Sequence, residues 1–212
     1  MNVLIINQYA ENKGDRAVLF ALVSELLRHT SNITVSTSNP KLWDGYEFYA
    51  QNNVRFVPWG WDYNIGCGNL KRKLNIIKKY TYTINRELFL LKGLSSRWTS
   101  RLLANPLFAQ ALNEAELIVS TGGHHVTTIL ARDAISSQIF DLSFAARMKK
   151  NFILWSQTIG PFNFHNDRNY RFVTKIIKQA ERIYIRDNHS FSLVNDIVPT
   201  ISLSMCSFCN QI

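Results

Sequence analysis

Residues 1–28 read MNVLIINQYAENKGDRAVLFALVSELLR. Val3–Ile6 is a short apolar run that ends at a Gly-containing turn, a pattern that predicts a buried parallel strand. Asp15 then opens an amphipathic run through Arg28, and its carboxylate suits the N-cap of a helix. The opening residues therefore predict one strand–loop–helix unit.

The same alternation continues along the chain. Short apolar runs predict further strands at 33–37, 54–57, 117–120, 152–155 and 183–185, and helical runs lie around 128–149 and 167–180. Strands that alternate with helices favour a parallel sheet covered on both faces. We therefore predict an α/β fold, a Rossmann-like parallel sheet with helices on both faces.

The composition is that of a folded domain in a reducing compartment. The chain has 212 residues, of which 46% are hydrophobic and 18% are charged. It lacks a basic leader and a run of roughly 20 apolar residues, so we expect a cytoplasmic location. Cys206 and Cys209 have the spacing of half a zinc knuckle, but no second ligand pair follows, so we expect no metal site.

Most of the net charge of +9 lies between residues 71 and 101. This stretch contains nine Lys and Arg residues and a single acidic residue, Glu87. Apolar residues recur there at threes and fours, which predicts a basic amphipathic helix or helix pair; they are Leu74, Ile77, Tyr80, Ile84, Leu88 and Leu91. One interpretation is a solvated helix whose apolar stripe packs on the sheet. The other is peripheral contact with anionic lipid or a lipid-linked diphosphate at the inner face of the membrane. No nucleic-acid-binding motif is present, so we expect no nucleic acid partner.

Four loops that follow predicted strands carry the functional residues. They read NKGDRA at 12–17, STGGHH at 120–125, SQTIGPF at 156–162 and RDNHS at 186–190. In open parallel sheets ligands bind beyond the carboxyl ends of the strands, where glycines permit close approach and helix N-termini attract anions. The four loops are therefore expected to meet at one site.

Together these loops resemble the polysaccharide pyruvyl transferase family. Its members carry N-x-G-D near the first strand, a glycine pair after a middle strand, S-Q-x-I-G-P-F and R-D-x-x-S, and the order matches here over residues 3–195. The chain departs from that pattern at His124-His125, where the family often has a further Gly or an apolar residue.

The resemblance implies a transferase that moves pyruvate from phosphoenolpyruvate to a sugar hydroxyl pair of a surface polysaccharide or its lipid-linked precursor. Phosphoenolpyruvate is then the donor substrate, and no cofactor is expected. The fold implied is the N-terminal half of a GT-B type transferase. A nicotinamide enzyme is disfavoured because residues 7–16 contain no G-x-G-x-x-G.

Site residues follow from the matched loops. Arg186 is predicted to grip an anionic group of the donor, because a guanidinium can bind carboxylate or phosphate with two nitrogens. Asp15 either orients a sugar hydroxyl or caps its helix, and Gln157 either hydrogen-bonds substrate or ties its loop to a neighbouring strand. With Asp15, His124 and His165 are the predicted catalytic residues, since imidazole titrates near neutral pH. The predicted substrate-binding residues are Asn12, Gly14, Gly122, Gly123, Gln157, Gly160, Arg186 and Asp187.

The domain prediction is one Rossmann-like domain over residues 1–199, a truncated or frameshifted tail over 200–212, and no second domain. Two-domain transferases of this type need roughly another 150 residues, so we expect the chain to be inactive alone or to require a C-terminal partner. Two alternatives stay open. One is half of a GT-B glycosyltransferase, and the other is a non-catalytic remnant or subunit.

Overall fold

A computed structural model describes residues 1–9, 11–60, 83–90, 103–128, 137–164, 166–199 and 203–205. Its strands are β1 (Asn2–Gln8), β2 (Asn32–Thr37), β3 (Arg55–Pro58), β4 (Leu117–Ser120), β5 (Gly123–Val126), β6 (Asn151–Ile159), β7 (Arg182–Ile185) and β8 (Leu203–Met205). They form one sheet in the order β3-β2-β1-β4-β6-β7-β8, and β5 also pairs with β6. Every pairing is parallel.

The described helices are α1 (Lys13–Leu26), a 3-10 helix (Pro40–Trp43), α2 (Glu47–Gln51), α3 (Pro106–Glu114), α4 (Ser137–Arg147), α5 (Asp167–Ile177) and α6 (Asn188–Ile197). Residues 83–90 are helical as well. The predicted α/β Rossmann-like sheet is confirmed, and each predicted strand is found within two residues at its start. Among the helices that the structure describes, none is long and apolar enough to cross a bilayer.

The sheet separates two apolar cores, because successive side chains of a strand point to opposite faces. Val3 and Ile5 of β1 pack on one face with residues of α1 and the 3-10 helix, such as Trp43. Leu4 and Ile6 pack on the other face with helices α3 to α6. A strand buried on both faces needs a continuous apolar run, which explains why β1 could be predicted from its sequence.

An interrupted strand lies beside β6. β4 pairs with the first half of β6 at 151–154, and β5 pairs with its second half at 157–159. The glycine pair was predicted to follow a strand as a loop, but Gly123 begins β5, and residues 156–159 are likewise strand rather than loop. The interruption packs tightly, since a Cβ on Gly122 would lie 2.9 Å from the Ser156 carbonyl oxygen.

The N-cap of α1 is Asn12, whose Oδ1 accepts a hydrogen bond from the Gly14 amide at 2.8 Å. The prediction that Asp15 caps this helix is therefore wrong, because the helix begins at Lys13 and Asp15 is its third residue. An Asn side chain reaches the amide two residues further on, which satisfies one of the unpaired donors of the first turn. The Asp15 carboxylate is left for other contacts.

Only residues 83–90 of the basic segment are described. Asn85 and Phe89 are buried there, whereas Ile84 is 47% exposed, so the predicted apolar stripe is wrong at Ile84. Phe89 packs edge-on against Phe172 of α5 at 5.2 Å. Arg86 forms an ion pair with Glu87 at 2.7 Å, so part of the positive charge is compensated within the fold. The rest of the predicted helix lies outside the described residues.

Candidate functional site

The strand order reverses direction at the centre of the sheet. From β1 the chain moves outward to β2 and β3, and from β4 it moves outward in the opposite direction to β6 and β7. Such a reversal leaves the carboxyl ends of the two central strands uncovered by a connecting helix, and ligands of open α/β sheets bind there. The four predicted loops or their flanking strands reach this edge.

A buried amide cluster joins the ends of β1, β4 and β6. The Nδ2 of Asn7 donates a hydrogen bond to Ser120 Oγ at 2.7 Å, and the Nε2 of Gln157 donates to the same oxygen at 3.1 Å. Gln157 Nε2 also donates to the Thr121 carbonyl. Gln157 is fully buried, so in this structure it ties neighbouring strands together, and its contact with substrate stays a prediction.

The backbone is irregular at the same level of the sheet. Asn7 has a φ of 70° and Ser156 a φ of 50°, a left-handed conformation that few residues other than glycine adopt. Both lie where a strand shifts register against its neighbour. Strained backbone of this kind clusters at functional sites. Sequence reasoning missed Asn7 and Ser120, and the only sequence signal for Asn7 is a polar residue at the end of an apolar run.

Arg186 presents the open end of its side chain at this edge. It is partly buried, and its Nε donates a hydrogen bond to Thr158 Oγ1 at 2.6 Å. Within the described part of the chain, its two terminal nitrogens donate no hydrogen bond and form no ion pair with Asp187. A guanidinium that is held at Nε and open at its terminal nitrogens is suited to bind a carboxylate or phosphate.

Asp187 has the contacts of a helix cap. Its Oδ1 accepts from the Ser190 amide at 2.8 Å, and its Oδ2 accepts from the hydroxyls of Ser190 and Thr158, both at 2.9 Å. Burial raises the pKa of this carboxyl, but the hydrogen bonds from Ser190 and Thr158 and the charge of Arg186 outweigh it, so the pKa is lowered. Asp187 and Thr158 together hold Arg186 in place. Thr158 was not predicted, although it lies inside the SQTIGPF segment.

Asp15 differs from Asp187 in the direction of its pKa shift and in its hydrogen bonds. Burial raises the pKa of its carboxyl above the usual range, and the nearby positive charge of Arg186 only partly opposes this shift. No described residue donates a hydrogen bond to this carboxylate. The first and last of the four loops thus bring an open carboxyl and an open guanidinium towards one space. A carboxyl with a raised pKa is suited to proton transfer.

Two of the predicted glycines are required by close packing. Besides Gly122, Gly160 has a φ of +85°, and a Cβ there would overlap the Leu193 side chain. Gly14 lies in the first turn of α1, and Gly123 begins β5. Contact of these four residues and of Asn12 with substrate stays a prediction.

Of the two histidines predicted to be catalytic, the structure describes one. His124 is exposed on β5. His165 lies outside the described residues, so its predicted role is not tested. No three His, Cys, Asp or Glu side chains within the described ranges are grouped as metal ligands.

The chain matches a known family of proteins. Residues 12–207 match the family model for polysaccharide pyruvyl transferase. The matched range contains all four loops and every predicted site residue. No curated protein matches the chain.

Proposed function

The chain belongs to the polysaccharide pyruvyl transferase family, and from that premise we propose that it transfers pyruvate from phosphoenolpyruvate onto a pair of hydroxyls of a saccharide. The family relationship supports pyruvyl transfer onto polysaccharide in general. The observation that carries the donor assignment is Arg186, whose guanidinium is oriented by Thr158 and has no partner among the described residues at its terminal nitrogens.

The donor carries two anionic groups, a carboxylate and a phosphate. Arg186 is proposed to bind one of them through both terminal nitrogens. The two charge-assisted hydrogen bonds formed in this way are shorter and stronger than hydrogen bonds between neutral groups. Because Nε is already fixed on Thr158 at 2.6 Å, the guanidinium loses little further freedom when the donor binds.

The reaction requires one proton to be added and two to be removed. The methylene carbon of phosphoenolpyruvate gains a proton and becomes a methyl group, which leaves an oxocarbenium-like centre at C2. One acceptor hydroxyl oxygen forms a bond to C2, the C2–O bond to phosphate breaks, and the second hydroxyl oxygen completes the ketal. Of the two hydroxyl protons, one balances the methyl group and the other leaves on hydrogen phosphate.

Asp15 is proposed to accept the proton of the attacking hydroxyl. A carboxylate whose pKa is raised by burial is a stronger base than an ordinary aspartate, and this one has no competing hydrogen bond from the described residues. The proton for the methylene carbon comes from a separate acid, for which His124 and His165 remain the predicted candidates.

The cellular setting is proposed from the sequence. The proposed acceptor is a surface polysaccharide or its lipid-linked precursor. We propose that the basic segment at 71–101 is attracted to anionic lipid at the inner face of the membrane, with a solvated helix as the alternative. These proposals depend on the family relationship and on charge distribution.

Calorimetry with phosphoenolpyruvate at low salt tests the donor site. We expect saturable binding that falls more than about tenfold in Arg186→Ala, since a charge-assisted hydrogen bond contributes roughly 1.5–3 kcal/mol. Arg186→Lys keeps the charge but loses the second nitrogen, so it should bind with intermediate affinity. Arg182→Ala is the matched control, because Arg182 is exposed at the start of β7, the strand that Arg186 follows. Equal binding by Arg186→Ala and the wild-type chain, or no binding by a folded wild-type chain, would refute the assignment.

A further inference from the structure

Aromatic side chains form a continuous group between α1 and the edge strand β3. Its members, which we call the aromatic surface, are Phe20, Trp43, Tyr46, Phe48, Tyr49 and Phe56. Phe20 contacts Phe48 at 4.5 Å, and Trp43 stacks on Phe56 at 5.1 Å with the ring planes 4° apart. The rings therefore form one contiguous patch.

Part of the aromatic surface faces solvent. Phe20 is 50% exposed and Tyr46 is 38% exposed, and the neighbouring Leu42 is 39% exposed. Trp43 and Tyr49 are buried beneath them, so the exposed rings rest on a rigid base. Contiguous exposed apolar groups with polar groups at their margin mark binding surfaces rather than ordinary protein exterior.

The aromatic surface includes a groove of about 320 Å³ between the 3-10 helix and β3. Trp43, Tyr49 and Phe56 line it together with the charged residues Lys41 and Asp44. This volume is at the small end of ligand pockets, so it admits a single ring rather than a helix. Because Trp43 and Tyr49 are almost fully buried, Phe56 is the aromatic side chain of the groove that the C–H face of a sugar can contact. The exposed side chains of Lys41 and Asp44 can bond the sugar hydroxyls.

The aromatic surface begins beside the candidate active site. Arg16 and Phe20 are four residues apart and so lie on one side of α1. Arg16 donates a hydrogen bond to the Tyr46 hydroxyl at 2.8 Å, while Phe20 contacts Phe48. Arg16 follows Asp15 directly in the first turn of the helix. Tyr46 is therefore one side-chain contact away from the first turn of α1, which also contains Asp15.

We propose that the aromatic surface binds the sugar residues of the acceptor chain that flank the residue receiving pyruvate. The inference rests on the proposed function for the nature of the acceptor, since a polysaccharide extends beyond the ring that reacts. It assigns a role in acceptor length and affinity to residues outside the four motif loops. Phe20 and Tyr46 are the exposed contacts in this assignment.

Oligosaccharide binding without phosphoenolpyruvate tests the proposal. Gluco-, galacto- and manno-oligosaccharides of one and of six rings are titrated into the full chain by calorimetry. We expect at least one hexasaccharide to bind more tightly than its monosaccharide, and Phe20→Ser and Tyr46→Ala to weaken that binding about tenfold. Leu107→Ser is the matched control, because Leu107 is 55% exposed on α3 and belongs to no aromatic contact of the surface. The control should bind within about twofold of wild type.

The outcomes separate this inference from the proposed function. Hexasaccharide binding that is lost in Phe20→Ser supports the surface even if no pyruvyl transfer is detected. Transfer onto a monosaccharide, with no preference for length and no effect of Phe20→Ser, would support the proposed function and refute the surface. Equal binding of one and six rings in all three series also refutes it. A wild-type dimer that dissociates in Phe20→Ser and binds no saccharide would assign the surface to self-association instead.

Discussion

Replacing Gly122 by alanine places a methyl group against backbone. The new Cβ would lie 2.9 Å from the Ser156 carbonyl oxygen and 3.1 Å from the Ser156 Cβ, whereas ordinary contacts begin near 3.4 Å. The Ser156 backbone already has a φ of 50°, and it lies in the central strand β6. Relief requires displacing backbone rather than turning a side chain, so we expect a loss of about 1–3 kcal/mol in the free energy of unfolding.

Urea unfolding followed by circular dichroism measures this difference. Gly45→Ala is the matched control, because a Cβ at Gly45 meets no atom within 4 Å. That substitution should be neutral or slightly stabilising, by up to about 1 kcal/mol, through its effect on the unfolded chain. Phosphoenolpyruvate binding should weaken in Gly122→Ala as well, since Thr158, which orients Arg186, lies two residues beyond Ser156. A Gly122→Ala chain within about 0.5 kcal/mol of the wild type would show that the interruption is not tightly packed.

Three further predictions concern polar groups of the same edge. Asp187→Ala should lower the free energy of unfolding by about 0.5–2 kcal/mol because it removes the cap of α6, and the exposed Asp196→Ala is its control. Because the pKa of Asp187 is lowered in the folded chain, its contribution to stability is present above the ordinary pKa of 3.8 and should fade as pH falls through the folded pKa. Urea unfolding midpoints measured across this pH range test the prediction. Asn12→Ala should cost a similar ~1 kcal/mol in thermal unfolding, whereas Asn39→Ala, whose side chain makes no cap bond, should cost little; equal losses would contradict the cap assignment. Asp15→Asn should stabilise the chain at neutral pH, because a raised folded pKa means that the charged carboxylate opposes folding, and this gain should vanish below pH 3.8; a loss of stability at pH 7 would contradict it.

The fold was predictable because its strands obey a simple rule. A strand such as β1, buried on both faces, requires an apolar residue at nearly every position, and Val3–Ile6 meets that requirement without help from distant residues. The carboxyl ends of parallel strands share one edge, so the convergence of Asp15 and Arg186 also followed from the sequence.

Details that depend on tertiary contacts were not predictable. Asn12 and Asp15 are both able to cap a helix, and the choice depends on where the chain leaves β1. The buried side of the helical segment 83–90 includes Asn85, because its side chain donates to Ser143 Oγ at 2.6 Å and accepts from Arg147 at 3.1 Å. A polar residue with partners on another helix is invisible to a hydrophobic pattern.

We expect the sheet to open more easily along a line through the interruption between β4 and β5. At the level where β4 ends, β1 shifts register against β2 near Asn7, and β6 shifts register against β7 near Ser156. The side-chain amides of Asn7 and Gln157 both bond to Ser120 at the end of β4. Elements with fewer ladder bonds open at lower free energy than the rest of a fold. Arg186 and Asp15 lie on opposite sides of this line. In the proposed complex the donor contacts Arg186 and the acceptor hydroxyl contacts Asp15, so the two bound molecules together span this line. We therefore expect their joint binding to reduce the local opening of the sheet.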